Sequence, residues 1–334
     1  MLRFTVRRLL LLVPILVGLS ILVFLWIRAL PGSPAQALLG ERATPAAIAA
    51  IKREYGLDKP LHEQYLAYVR SVGRGEFGDS VTSRRPVVEE FKQRFPATVE
   101  LAFAAMLFSV LLGIPLGFIA AKRYGGWLDQ ASLVASLIGI SIPIFFLAII
   151  LKYVFAVKLG WLPTVGRISV LIDLEHPTNF YVLDAIIAGD LEALWDVLKH
   201  LVLPAVALGS IPLAIVARIT RAAVLDVQNE DYVRTARAKG LAPRIVDRRH
   251  ILRNALLPIS TIIGLQTGLL LSGAVLTETV FAFPGIGTWL VEAIEARNYP
   301  VLQGGILFVA IVFVLVNLLV DISYALVNPR IRVS

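Results

Sequence analysis

Six long apolar runs leave this chain one natural solvent, the lipid bilayer: Leu9–Ile27, Leu101–Ala121, Ala131–Leu151, Leu201–Ala217, Leu256–Thr277 and Val301–Val320. Each has roughly the 17–25 residues that a helix, rising about 1.5 Å per residue, needs to cross about 30 Å of hydrocarbon. The fourth is the shortest, and leans on its neighbours or on Lys199 and Arg218 reaching outward from its ends. Composition agrees. Of the 334 residues, 17% are charged and 57% hydrophobic, and the mean hydropathy is +0.77. A soluble chain of this length carries about a quarter charged residues. The expectation is an all-α integral membrane protein with six transmembrane helices.

Lys and Arg in the connecting segments set the orientation. With the N-terminus inside, the inner segments carry Arg3, Arg7 and Arg8, Lys122 and Arg123, the cluster from Arg221 to Arg253, and Arg330 and Arg332. The two short outer loops carry Lys158, Arg167 and Arg297, with Lys152 and Lys199 at the ends of the adjoining spans. That asymmetry places both termini in the cytoplasm. A rival reading makes residues 1–37 a cleaved signal ending in Ala35-Gln-Ala37, but the apolar run exceeds the usual signal core of about 7–15 residues. A net charge of +8 is accounted for by this topology and does not argue for nucleic acid.

Three regions follow: residues 1–29 as tail and first span, 30–98 as a large extracytoplasmic loop domain, and 99–334 as the transmembrane core. The loop domain is expected to be partly helical. Thr44-Pro45 is a helix start, Gly56 a stop, and Pro60 opens a second helix whose Leu61, Tyr65, Tyr68 and Val69 share a face. Gly73 to Ser80 is rich in turn residues. Between Lys158 and Lys199, the segment DAIIAGDLEALWDVLKH reads as an interfacial amphipathic helix, with Trp161 and Trp195 at headgroup level.

Catalytic chemistry finds no home in the sequence. The four histidines are isolated, cysteine is absent, and neither zinc-ligand spacing, a nucleophile elbow nor a phosphate loop occurs. No catalytic residue, metal site or bound cofactor is expected. Ionisable residues at the span ends are Glu100, Lys152, Glu278 and Asp321, and mid-span carboxylates of the kind an ion-coupled carrier uses are lacking. Polar residues that could line a path for a polar solute are Ser141, Gln266, Thr267, Ser272, Glu278 and Asn317.

The densest basic segment is DYVRTARAKGLAPRIVDRRHILRNALLPI, residues 231–259, within an inner loop at 221–257. Asp231 and Thr235 suit helix starts, while Gly240 and Pro243 divide two short helices. A lipid surface, a DNA duplex and a soluble partner protein are the admissible contacts. A short loop pinned against a bilayer has poor access to a duplex.

RTARAKG resembles the E-A-A-x-x-x-G loop of inner-membrane subunits of ATP-binding-cassette importers. EDYVRTARAKGL and RNALLPI resemble more closely the dipeptide/oligopeptide/nickel permease family, in its first-permease branch. The likeness continues in PGSPA at 31–35, YGLDKPLHEQYL at 55–66, GEFGDS at 75–80, RFPATVEL at 94–101, GWLP at 160–163, ETVFAFPGIG at 278–287 and NYPVLQG at 298–304. It implies a multi-pass subunit of a bacterial or archaeal cytoplasmic membrane that forms half of a translocation path. Its partners would be a second permease, two cytoplasmic ATPases holding ATP and Mg, and an external substrate-binding protein. It implies an ATPase dock at Asp231, Tyr232, Arg234, Ala236, Arg237, Lys239, Gly240 and Leu241. Arg234 stands where the wider family has Glu, which moves the expected core of the dock to Ala236, Gly240 and Leu241. Substrates in this resemblance are di- or oligopeptides, with nickel, glutathione and a stand-alone secondary carrier as alternatives.

Overall fold

A computed structural model describes residues 2–29, 44–54 and 56–327. PGSPA at 31–35, the Ala35–Ala37 site, Tyr55, Arg330 and Arg332 lie outside the described residues. Thirteen helices are used below: α1 (Leu2–Ala29), α2 (Pro45–Glu54), α3 (Leu61–Gly73), α4 (Val87–Lys122), α5 (Trp127–Ser141), α6 (Ile144–Leu151), α7 (Tyr181–Ala188), α8 (Leu191–Gln228), α9 (Asp231–Ala238), α10 (Arg253–Gly273), α11 (Val275–Val280), α12 (Ile286–Glu295) and α13 (Tyr299–Val327). Wider π-type turns continue α6 over Lys152–Lys158 and lead into α10 over Val246–Leu252. Among the described residues the only β feature is a bridge between Asp79 and Pro86.

The chain is an all-α membrane protein. Among the described residues three helices are long and apolar enough to cross a bilayer alone, namely Val87–Lys122, Leu191–Gln228 and Tyr299–Val316. The apolar runs predicted at Leu9–Ile27 and Leu256–Thr277 are helical as α1 and as α10 with α11, the last two divided at Ala274. The third run departs from a straight span. Helix α5 ends at Ser141, and the chain bends by 100° before continuing through α6. Pro143 causes the break: it lacks an N–H and crowds the residue before it, so Ile142 adopts φ −80°, ψ 123°, outside the helical region. The run is therefore two helical pieces and not one.

The structure divides into two compact units. The first comprises residues 1–96 and 284–315. Its α2 starts as predicted, with Thr44 Oγ1 accepting from the Ala47 N–H at 3.3 Å, and Gly56 ends the turn at φ +62°. In α3 only Tyr65 and Tyr68 face inward against Phe24; Leu61 and Val69 are exposed, so the apolar stripe is narrower than predicted. Burial, aided by neighbouring Tyr65, pushes the Tyr68 hydroxyl above the usual tyrosine range. The core joins Val23 and Ile27 of α1, Val87 of α4, Ile286 and Trp289 of α12, and Val301 and Leu302 of α13. Two buried polar contacts orient it. Trp289 Nε1 donates to Glu90 Oε2 at 2.8 Å, and Asn298 accepts from the Val81 N–H while donating to Ser80 Oγ at 2.8 Å. A cavity of about 390 Å³ beside them is lined by Ser80, Glu90, Arg94, Trp289 and Glu292 among others.

The second unit comprises residues 97–283 and 316–334. Helix α8 is its axis, with α5, α6, α7 and α10 packed around it. Asp190 caps it through the Ala193 N–H at 2.9 Å. The segment expected as one interfacial amphipathic helix is two, the end of α7 and the first turns of α8, divided at left-handed Gly189, and those turns continue into the fourth apolar run. Small residues let α4 approach α8: Ser109 Oγ donates to the carbonyls of Ala105 at 2.7 Å and Gly209 at 2.8 Å. An apolar groove of about 470 Å³ runs along α4, α5, α6 and α8, lined by Phe108, Leu116, Gly139, Leu147 and Leu213 among others.

Candidate functional site

Helix α9 carries the basic cluster, and its eight residues have two faces. Val233 and Ala236 turn inward, at 0% and 4% exposure. They pack with Ala121 of α4, Ala223 and Val224 of α8, Val246 and Ile251 of the π segment, and Ala255 and Ile259 of α10. The outer face presents Asp231, Tyr232, Arg234, Thr235 and Arg237, and the residues after the helix present Lys239, Gly240 and Leu241. The predicted dock therefore divides. Seven of its residues share an open surface, while Ala236 packs against its own chain.

Local structure follows simple rules. Asp231 lies in the first turn, where a carboxylate suits the helix dipole, and makes an exposed 3.5 Å pair with Arg234. Thr235 does not start a helix as predicted. It sits inside α9 with its hydroxyl donating to the Asp231 carbonyl at 2.9 Å. Gly240 has φ +71°, so the residue type answers to backbone geometry, and a Cβ there would meet nothing within 4 Å. Beyond it the second predicted short helix is a turn at Pro243–Ile245 that runs through Val246–Leu252 into α10. Tyr232 accepts from Asn254 Nδ2 at 3.1 Å, bracing the outer face.

Ion pairs frame this platform. Arg221 of α8 grips Asp129 of α5 through two parallel hydrogen bonds, Nε to Oδ1 and Nη2 to Oδ2. The Gly125 N–H adds a third bond to that carboxylate at 3.0 Å. Lys122, the last residue of α4, reaches Asp247 at 2.8 Å.

At the opposite end of this unit, polar contacts gather around residues 278–283. Thr98 donates to Glu278 Oε1 at 2.6 Å, Lys152 Nζ to the Val280 carbonyl at 2.7 Å, and the Gly166 N–H to the Phe281 carbonyl at 3.0 Å. Nearby, Arg167 donates to Glu100 at 2.5 Å and to the Asn179 carbonyl at 2.9 Å, with its guanidinium 3.7 Å above the Tyr181 ring.

Four of the predicted path residues have described side chains. Glu278 is 0% exposed and accepts from the Thr98 hydroxyl. The Ser141 hydroxyl donates to Leu137 and that of Thr267 to Ile263, each within its own helix. Gln266 is buried. The side chains of Ser272 and Asn317 lie outside the described ones. The four described ones line neither cavity described above.

Residues 113–333 match the model of the family described as binding-protein-dependent transport system inner membrane component. The chain belongs to that family. Residues 1–102 match the companion model for the N-terminal part of such membrane components. Two curated relatives of this inner membrane component span nearly its full length. The di/tripeptide transport system permease protein DppB of Pseudomonas aeruginosa is 50% identical, covering 99% of both chains. The dipeptide transport system permease protein DppB of Alkalihalophilus pseudofirmus is 46% identical, covering 99% of this chain and 100% of the relative. Among solved structures, a chain from inward-facing conformations of the MetNI methionine ABC transporter superposes with TM-score 0.51 at 19% identity. It covers 70% of this chain and 93% of the solved one, a likeness of fold. By family the chain is the membrane permease component of a binding-protein-dependent transport system.

Several residues of this permease escaped sequence reasoning. Arg167 counted only as an outer-loop cation, yet it is the buried partner of Glu100. Asp129 is an acid in an inner segment expected to be basic, and that misfit was its one visible signal. Lys122 and Asp247 lie 125 residues apart, and no local pattern links them.

Proposed function

We propose that this permease is the first membrane subunit of an ATP-driven importer for di- and oligopeptides, forming half of the path with a second permease. Near full-length similarity to two dipeptide-system permeases carries the substrate class. In this reading the chain crosses the membrane six times with both termini inside, residues 30–98 form an external domain, and residues 99–334 form the core. Two cytoplasmic ATPases bind ATP and Mg and grip the loop at 221–257, while an external binding protein delivers the peptide. The permease itself contributes no catalytic residue and no cofactor.

The dock consists of Asp231, Tyr232, Arg234, Arg237, Lys239, Gly240 and Leu241 on the open side, with Ala236 anchoring the helix from beneath. What supports this is the division of α9 itself: an apolar face sealed against four segments of its own chain, and a basic face left open. Arginine and lysine there suit carboxylates around a groove in a partner. ATP-driven closure of the ATPases then moves α9 as a rigid body and switches the spans between two states. Among the path residues, Gln266 and Thr267 with Ser272 and Asn317 keep the lining role, and Ser141 marks the break between α5 and α6.

Gly240→Asp tests the dock cleanly. Aspartate tolerates the left-handed backbone region better than most residues, and an added side chain meets nothing within the chain. The variant is expected to insert normally, while peptide uptake and partner-stimulated ATP hydrolysis are lost. Wild-type uptake in that variant would sink the docking assignment. Substrate class is tested by uptake of a labelled dipeptide into proteoliposomes holding the full complex, with glutathione and nickel as competitors. Uptake driven by an ion gradient without ATPases would instead establish a secondary carrier.

A further inference from the structure

We infer that Lys122 and Asp247, acting with the Arg221–Asp129 pair, are positioning residues that carry movement of α9 into the spans. The inference rests on the docking reading above. Helix α9 meets the membrane core through two covalent arms. Upstream, only Asn229 and Glu230 separate it from α8. Downstream, the turn after Gly240 leads through Val246–Leu252 into α10. Helices α4 and α5 have no such direct link, and the two ion pairs reach those helices: Lys122 ends α4, and Asp129 lies in the first turn of α5.

The apolar cluster beneath α9 cannot serve this purpose alone. Apolar contact is non-directional, so it resists separation but lets helices slide. A hydrogen-bonded ion pair fixes particular atoms against each other and resists shear. The Arg221–Asp129 pair is nearly buried, with side chains 18% and 4% exposed, and holds the upstream arm in register with α5. The Lys122–Asp247 pair, 34% and 22% exposed, holds the downstream arm to the end of α4. A half-exposed pair of that kind adds little to stability. Its predicted role is therefore one of register, readable as transport per ATP consumed and not as folding.

The test uses the complete complex of both permeases, ATPases and binding protein in proteoliposomes. Lys122→Glu, Asp247→Lys and the double exchange are compared by dipeptide uptake, ATP hydrolysis and ATPase co-purification. Each single variant is expected to keep its ATPases and yet lose about fivefold or more in uptake per ATP. The double exchange, which restores an opposite-charge pair, is expected to recover most of that loss. Unchanged uptake per ATP in both single variants would overturn the inference while leaving the dock intact. Loss of the ATPases from the single variants would also overturn it, because the pair would then serve docking. Should a reversed charge prevent assembly, Lys122→Gln and Asp247→Asn carry the same comparison. A failed dock is recognised separately, by wild-type uptake in Gly240→Asp.

Discussion

Gly209 sits where α8 crosses α4, and a Cβ there would lie 2.6 Å from the carbonyl oxygen of Ala105 and 3.0 Å from Ser109 Oγ. Backbone cannot yield as a flexible side chain can. Gly209→Ala is expected to destabilise the permease by about 1–3 kcal/mol through overpacking, read as a lower unfolding midpoint in detergent. Gly139→Ala is the control, since its Cβ would meet Ala214 Cβ at an ordinary 3.7 Å, and its midpoint should barely move. Equal effects at both glycines would refute this account of the crossing. Gly240 makes the complementary point: it has free space on every side and a left-handed backbone, so its constraint is one of φ alone. Sequence reading took Gly240 as a helix breaker, which its left-handed backbone bears out, but spacing along a chain does not reveal the crowding at Gly209.

Between elements, the Glu100–Arg167 pair ties α4 to the segment that precedes α7. Glu100 also accepts the Val182 N–H at 2.8 Å, so one carboxylate holds a guanidinium and a helix start together. Both side chains are under 10% exposed. Glu100→Ala leaves Arg167 buried without its counter-charge and is expected to cost about 3 kcal/mol or more. Replacing both by apolar residues of similar volume, Glu100→Leu with Arg167→Met, should be the milder change, because no charge is left buried alone. Denaturant unfolding of the two variants checks the order, and a double variant worse than Glu100→Ala would refute it. The break between α5 and α6 belongs to this scale too. Pro143 accounts for a helix break by its chemistry, but the 100° bend depends on how both pieces pack on α8, which local sequence does not encode.

For the whole molecule, the distribution of Lys and Arg predicts which side each segment faces. The chain has no cysteine, so single cysteines can report position without background. Arg70→Cys in α3 should react with an impermeant maleimide in intact cells. Ala242→Cys, beyond α9, should react only after permeabilisation. The reverse pattern would invert the topology and remove the proposed dock from the side where ATP is found. Family membership, the all-α membrane class and the basic segment at 231–259 were all legible in the amino-acid order, because lipid demands long apolar helices and charge asymmetry sets their direction. Contacts between residues 92 to 180 positions apart were not legible: Arg221 with Asp129, Lys122 with Asp247, Glu278 under Thr98. Hydropathy and spacing describe each helix against its solvent. Which face of one helix meets which face of another is settled by side-chain shape and charge across the packed interior, and that packing turned the basic cluster into a platform with a sealed side and an open one.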